Sequence, residues 1–469
     1  MRHAGHVALA LLALGAGTLA PAAAETVPPT PILVTAMVHV DPLPTVNDVN
    51  AALRAYAEHR DAWLWYLELA NRTGLRISAQ MTGVYAEACV REGDAADFAS
   101  CMPGGPHHLG THLHANVKGT GPYVWKTVSG ALMHDPSTVV QVFSDNLPWV
   151  NRVFEANGFG TADNWFFHGS HATFPEMDDV LFDPARGHPY ANRYRMVGAT
   201  RGCRYLYRGD FLLEPDQEAG PFIKMAEVGG IIGEDRPHGP EGLVLGTVPF
   251  QRRDFLAAYI EWREGVRRGA CGPVRHFTWM VHPYQLTPGH LGSDGRPTRD
   301  SIEELVAWLR ESFIGRTDDT GAVVARFANA AEIAAGFEAW EAACPAAAEQ
   351  LQGRMAAGEH LRYLPAILDR MASTSHLEVL DLHPSLTAHR LRDIATGKDA
   401  VLVWALGTAT VPLDGLLWQR VRVTRGDGTV TELDAVGFSI DAEPILVEEA
   451  PGQGGPARPP RRRLSGGGA

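Results

Sequence analysis

Residues 32–40, Ile-Leu-Val-Thr-Ala-Met-Val-His-Val, form a nearly unbroken apolar run that stops at Asp41-Pro42. A strand with one wet face alternates apolar and polar residues, so a run like this predicts a strand covered on both faces. Pro42 and Pro44 offer no N–H to a sheet, which leaves His39 and Asp41 at the strand's carboxyl end. Being two apart, they face the same way. Asn47 or Asp48 then caps a helix over Val49 to Leu69, Gly74 stops it, and Leu75 to Met81 reads as a second strand. Strand, helix and strand in that order call for a parallel crossover, and the chain is thereby committed to the α/β class.

The unit recurs. A third strand should end in the run His107 to His114, followed by a helix over 138–157 and a short strand within Asn164 to His171. A helix over 173–181, strands at 195–199 and 222–228, and a helix over 251–268 come next. The strand Arg275 to Val281 ends at His282-Pro283-Tyr284, and a helix (301–312), a strand (323–327) and a helix (330–340) close the series. About seven strands alternating with helices predict an irregular (β/α) barrel over residues 25–345, with its site at the carboxyl ends of the strands. Residues 346–375 are Ala-rich and read as a helical connector. Short β-type runs at 377–380, 400–404, 419–423 and 435–440, with a Gly426-Asp427-Gly428 hairpin signal, predict a small all-β sandwich over 376–450. The basic, Gly-rich segment 451–469 reads as a disordered tail.

The amino terminus carries an address: Arg2 and His3, an apolar stretch from Val7 to Ala20, and the small residues Ala22-Ala23-Ala24. This is the pattern of a signal peptide, residues 1–24, with the mature chain starting at Glu25. Fourteen apolar residues are too few to span a bilayer, so no transmembrane anchor is expected after cleavage, and the protein should be periplasmic or extracellular. In such a compartment Cys89 and Cys101, separated by a short segment, are the expected disulfide; Cys203 and Cys271 are the other candidates and Cys344 the odd one. A net charge of −13 argues against nucleic acid as a partner.

Four of the twenty histidines fall in eight residues, His107, His108, His112 and His114. Neutral imidazole is the commonest protein ligand for a catalytic divalent metal. If the run is a strand, His112 and His114 share a face; if it is a loop or a helical turn, His108 and His112 are the natural pair. The bland alternatives are a surface loop with spare histidines, or a cleft that only hydrogen-bonds a ligand. Asp41, His112, His168 and His282 all lie at expected strand ends, which places them at one end of a barrel. Trp165, Trp279 and Tyr284 are candidate faces for stacking a sugar.

Three stretches, Val38-His39-Val40-Asp41-Pro42, Gly110-Thr111-His112-Leu113-His114-Ala115-Asn116 and Met280-Val281-His282-Pro283, together resemble the NodB-type polysaccharide deacetylases of the glycoside hydrolase/deacetylase superfamily. Val38-His39-Val40-Asp41-Pro42 stands where that family has its aspartate motif, and Gly110-Thr111-His112-Leu113-His114-Ala115-Asn116 where it has its metal-binding histidines. Met280-Val281-His282-Pro283 is similar to its late motif with the catalytic acid, and residues 301–340 to its closing unit. The resemblance implies a barrel, a divalent metal of which zinc is the expected identity, and a polysaccharide or other glycan as substrate. It also implies Asp41, His112 and His114 as ligands, Asp41 and His282 as catalytic groups, and His39, His108, Asn116 and His168 as secondary candidates. The chain departs from the pattern in having one aspartate where the family has two adjacent ones, and Asn116 where the second histidine falls. A glycoside hydrolase on the same barrel, using carboxylates among Glu176, Asp178, Asp179, Asp210 and Glu227, and a carbohydrate-binding relic without catalysis are the alternatives.

Overall fold

The structure is a computed structural model that describes residues 29–41, 49–128, 135–160, 166–169, 196–199, 204–209, 220, 222–226, 228–233, 246–269, 271–357, 364–406, 410–412, 418–435 and 438–451. The expected signal peptide, Trp165, the 173–181 helix, Cys203, the five alternative carboxylates and residues 452–469 lie outside them.

The first half follows β1 (Ile32–Val40), α1 (Val49–Thr73), β2 (Ile77–Met81), α2 (Gly83–Glu92), β3 (His108–Leu113), the hairpin β4 (Asn116–Lys118) and β5 (Trp125–Thr127), and α3 (Pro136–Ala156). Next come β6 (Phe166–Gly169), β7 (Met196–Ala199), β8 (Tyr207–Gly209), β9 (Phe222–Ala226), α4 (Val248–Arg267) and β10 (His276–Val281). The series ends with α5 (Thr298–Ser312), β11 (Ala325–Phe327) and α6 (Ala330–Ala343). The sheet runs β10-β1-β2-β3-β6-β7-β9-β8 with β11 also on β1, and every pairing is parallel except β8 with β9. Beyond β9 the chain turns toward the other end of this path. Gly229 donates to the Thr278 carbonyl at 2.8 Å, Met280 to that of Gly230 at 2.9 Å, and Ile232 to that of Met280 at 2.9 Å.

The unbroken apolar run of β1 is explained by covering on both sides. Ile32, Val34, Ala36 and Val38 pack in one cluster with Trp63 and Tyr66 of α1, Ile260 of α4 and Leu305 of α5. Leu33 and Met37, on the other face, meet Met196, Ile223, Met225 and Met280, together with Ile333 and Phe337 of α6. Local chemistry fixes the helix ends: the Thr82 hydroxyl accepts from the Tyr85 amide at the start of α2, and Gly93 ends it at φ +81°, where other residues are strained. Asn329 and Glu332 cap α6 reciprocally.

After α6 come α7 (Pro345–Ala356), α8 (Pro365–Ala372), β12 (Thr374–Val379), β13 (Leu386–Asp393), β14 (Asp399–Ala405), β15 (Val411–Pro412), β16 (Arg420–Thr424), β17 (Val430–Asp434), β18 (Ser439–Ile440) and β19 (Ile445–Glu449). Among the described residues these strands do not make two facing sheets of similar size, as a sandwich would. They form one six-stranded antiparallel sheet, β12-β13-β14-β19-β16-β17, and a two-stranded ladder β15-β18. One face of the large sheet is covered by the first half of the chain: Leu402, Trp404 and Leu446 belong to the same apolar cluster as Tyr259 of α4, whose ring lies 5.5 Å from that of Trp404. Arg253 of α4 adds hydrogen bonds to the carbonyls of Ala372 (2.9 Å) and Thr374 (3.1 Å).

The cysteine expectation is corrected. The disulfide joins Cys271 to Cys344, with α-carbons 5.9 Å apart, whereas Cys89 and Cys101 are buried free thiols, each pushed up to about 12 by burial. Closeness in sequence does not set the β-carbon directions that a disulfide needs. Both thiols instead serve as small apolar groups in the core around Trp63 and Phe98. No described helix is long and apolar enough to cross a membrane.

Candidate metal centre

Asp41 is the first residue past β1 and is fully buried; His112 is the fifth residue of β3, and His114 is the first past its end. Because β2 separates β1 from β3, the register carries His39 to Gln80 and Gln80 to Gly110. Two residues further along each strand, Asp41 and His112 therefore stand level with each other. Here the period of two and the parallel ladder do what the sequence suggested: they bring a carboxylate and two imidazoles to one end of the sheet.

The donor atoms converge. Asp41 Oδ2 lies 3.2 Å from His112 Nε2 and in short contact with His114 Nε2, and the two Nε2 atoms are 3.0 Å apart. Asp41, His112 and His114 are the group of described residues whose ligand atoms all fall close enough together, within 4.8 Å, to hold an ion. Hydrogen bonding accounts poorly for this triangle. Two Nε2–H groups aimed at one oxygen would bring their protons together, two bare nitrogens would oppose their lone pairs, and a single Nε2–H would leave the other, bare nitrogen facing the carboxylate oxygen. A cation between the three atoms removes the conflict, and one carboxylate oxygen with two imidazole nitrogens is a donor set that suits a divalent transition metal with an open position.

Electrostatics agree with the geometry. Burial on its own would raise the Asp41 carboxyl, but the imidazoles of His114, His112 and His282 outweigh it and hold the group well below the usual carboxylate range. Burial lowers His114, and the adjacent Asp41 carboxylate more than reverses that, leaving it raised. The site is thus built to keep a negative charge inside the protein.

His282 follows β10 and faces the cluster from the other neighbour of β1. Its Nε2 is 3.8 Å from Asp41 Oδ1, an oxygen that is buried and takes part in no hydrogen bond. Gln285 orients the ring: its Oε1 accepts from the His282 amide at 2.8 Å and lies 3.0 Å from Nδ1. With Nδ1–H donating to that oxygen, Nε2 is the nitrogen turned to Asp41. His39 lies flat against His112, with ring centroids 4.0 Å apart and an interplanar angle of 22°, and edge-on to His282 at 5.3 Å. It is a buried backing for His112.

The other expected residues are placed differently. His108 begins β3, four residues from His112, so it lies about 13 Å further down the strand, and burial pushes it down to about 4. Asn116 belongs to the β4–β5 hairpin, where its Oδ1 accepts from Thr127 at 3.2 Å. By backbone register His168 is level with His112 on the neighbouring strand β6. Trp279 is corrected: it is fully buried, on the opposite face of β10 from Met280, and its Nε1–H donates to the Tyr66 hydroxyl at 3.1 Å. Period two turns it away from the site. Tyr284 is half-buried beside His282, with ring centroids 5.1 Å apart.

Two residues were missed. Gln285 stands three after His282, the spacing of a capping box, which is a readable signal once His282 is taken as a helix cap. His59, a nearly buried residue of α1, has its ring 6.4 Å from that of Tyr284 and is pushed down to about 4 by burial against the pull of Asp41. Nothing in its sequence neighbourhood marks it. The Asp-His-His cluster on parallel strands is consistent with a metal-dependent hydrolase in general. No protein-family model matches this chain, and no curated protein matches it in sequence.

Proposed function

We propose that the protein is an exported metal-dependent hydrolase that removes acyl groups from a carbohydrate, with zinc as the ion and a polysaccharide or related glycan as the substrate. The observation that carries the reading is the meeting of Asp41, His112 and His114 at one end of a parallel sheet, with His282 opposite. The backbone bonds between 229–232 and β10 support a further part of it, a seven-stranded barrel closed by β1, β2, β3, β6, β7, β9 and β10. Deacetylation is favoured by the motif resemblance at 38–42, 110–116 and 280–283.

Asp41, His112 and His114 would hold the ion. When bound, such an ion supplies Lewis acidity toward an acyl carbonyl and toward water. His39, stacked on His112, keeps that ligand's ring in plane. Gln285 holds the His282 ring so that Nε2 points into the cleft, where a proton on it can pass to a leaving amine or alkoxide. Tyr284 forms the adjoining wall. Residues 25–345 would carry the chemistry and 376–450 would not.

Metal analysis of the purified protein, with hydrolysis of acetylated oligosaccharides, tests this. His112→Ala should lose both the ion and turnover, whereas His282→Ala should keep the ion and lose turnover by about two to four orders of magnitude. Retention of full activity by both variants would refute the assignment. An ion bound by the parent protein without hydrolysis of any acylated glycan would refute the deacetylase reading but leave the metal centre standing.

A further inference from the structure

We propose that the contact between the antiparallel sheet and the helices of the first half is acid-labile, released through the paired imidazoles of His376 and His389. The ladder turns both rings toward those helices. His389 of β13 stands opposite Leu402 of β14, and His376 of β12 opposite Leu391 of β13, and opposite residues of an antiparallel pair share a face. Leu391 and Leu402 lie in the apolar cluster that also holds Tyr259 of α4 and Trp308 of α5. The His376 ring is 5.9 Å from that of Trp308, and the His389 ring is stacked 5.7 Å from that of Trp404. Both imidazoles are buried, 1% and 2% exposed.

Their polar atoms suit two neutral rings only. His376 Nε2 and His389 Nδ1 are 3.3 Å apart, so a single hydrogen lies between them, one ring donating and the other accepting. The outer nitrogens, His376 Nδ1 and His389 Nε2, are buried without a partner. A proton taken up at the accepting nitrogen sets N–H against N–H and breaks the contact. A proton taken up at the outer nitrogen of the donating ring keeps the contact but leaves a buried cation, which is costly without an anion beside it.

No such anion is at hand. On α4, Arg252 is paired with Glu304 of α5 at 2.9 Å, Arg253 with Asp254 at 2.7 Å and Arg263 with Asp319 at 3.0 Å. On the sheet's side, Asp393 and Glu448 are both held by Arg370 of α8, at 3.2 and 2.7 Å. Arg316 and Asp318 line the groove beside His389; Asp318 Oδ1 accepts from the amides of Thr320 and Ala322, and Arg316 has the same sign as the added proton. Among the described residues neither imidazole pairs with a carboxylate, and Arg252 acts against a charge on both. Lifting the sheet lets the rings meet water, the state that protonation favours. Each half then keeps a core of its own: Ala388, Val401, Val403 and Val447 on the sheet's other face, and Leu33, Met37 and Met225 inside the parallel sheet. Acid therefore acts first at the junction. No residue of the metal cluster takes part, so the inference goes beyond the proposed reaction.

Thiol reactivity of the full chain at pH 7.5 and 5.0 tests it, with 4,4′-dithiodipyridine as the reagent and each rate divided by that of the denatured chain at the same pH. Leu446 of β19 is fully buried opposite Leu402, so Leu446→Cys reports on the junction, while the buried thiols Cys89 and Cys101 report on the first half. Burial pushes His376 down from 6.5 to about 4; with the ordinary value restored on release, the rate at position 446 should rise about 30-fold on acidification. Cys89 and Cys101 should rise by less than about threefold. His376→Gln with His389→Asn keeps a polar contact, removes both titrations and should abolish the rise. A rise below about tenfold at position 446 overturns the proposal, as does an equal rise at Cys89 and Cys101, or one that the double variant leaves intact. If the double variant does not fold, the response of the three thiols with both histidines present still decides.

Discussion

The Cys271–Cys344 disulfide should be a major source of stability, and its removal can be given a size. The bond spans 73 positions of sequence. In the chain-entropy treatment the constraint on the unfolded chain is 2.1 + 1.5R ln n, about 15 cal/mol/K for n of this size, or about 4 kcal/mol at 25 °C. The bridge ties the lead into β10, and hence His282, to the corner between α6 and α7. The best variant is Cys271→Ser with Cys344→Ala, because position 271 is exposed and tolerates a hydroxyl whereas 344 is 5% exposed and does not. In guanidinium titrations the variant should lose about 4 kcal/mol relative to the oxidised protein. The slope m should rise, since an uncrosslinked unfolded chain exposes more surface. Non-reducing peptide mapping should recover the 271–344 pair and leave Cys89 and Cys101 as thiols. A loss below about 1 kcal/mol, or a Cys89–Cys101 crosslink in the map, would refute the reasoning.

Acid should weaken the antiparallel sheet through His376 and His389, which burial pushes down from the ordinary 6.5 to about 4 and about 3. Below pH 6.5 the unfolded chain takes up protons that the folded chain refuses, so stability is lost as pH falls from 6.5 toward 4, by on the order of 3 kcal/mol for His376 alone. Urea midpoints at pH 7.5 and 4.5 check this, and His376→Asn should flatten the dependence. Glu87 is fully buried with Arg91 (2.8 Å), Trp125 Nε1 (2.8 Å) and Lys118 (3.3 Å) around it, so Glu87→Ala should cost about 3 kcal/mol in chemical denaturation. At Gly83 a β-carbon would come within 2.4 Å of the Asn146 α-carbon, so Gly83→Ala should force α2 off α3 and cost about 1–3 kcal/mol, read from thermal unfolding.

How much of this was legible depends on whether the signal was local. β1, β2 and β10 could be read because a strand covered on both sides must be apolar along its length, and α1, α3 and α5 because their apolar stripes repeat at helical spacing. The candidate trio was legible for a related reason: Asp41, His112 and His114 are polar residues placed where apolar strands end. What stayed hidden was set by tertiary direction. Trp279 looked like a sugar platform until its place on the covered face of β10 was known. The cysteine pairing followed β-carbon geometry across 73 positions, and no pattern within a loop encodes that. The strand β13, Leu-Thr-Ala-His-Arg-Leu-Arg-Asp, was missed because its buried His389 and Asp393 and half-buried Arg390 break the apolar alternation.

The same register that made the trio legible also sets how Asp41 and His282 stand relative to each other. Val38 pairs with Val281, so one step further His39 stands level with His282, while Gln80 and Gly110 continue that layer across β2 and β3. Asp41 and His112 occupy the next layer outward. The 3.8 Å from His282 Nε2 to Asp41 Oδ1 is therefore governed by the β1–β10 ladder, whose strands end immediately before each of these two residues. A slip of one residue in that ladder would turn His282 to the opposite face and bring Val281 into its place. Such a slip is opposed by the apolar contacts on both faces of β1, since it would send Leu33 and Met37 into the space of Ile32, Val34 and Ala36. The packing that makes the first strand fold is thus also what holds His282 opposite the Asp41, His112 and His114 cluster.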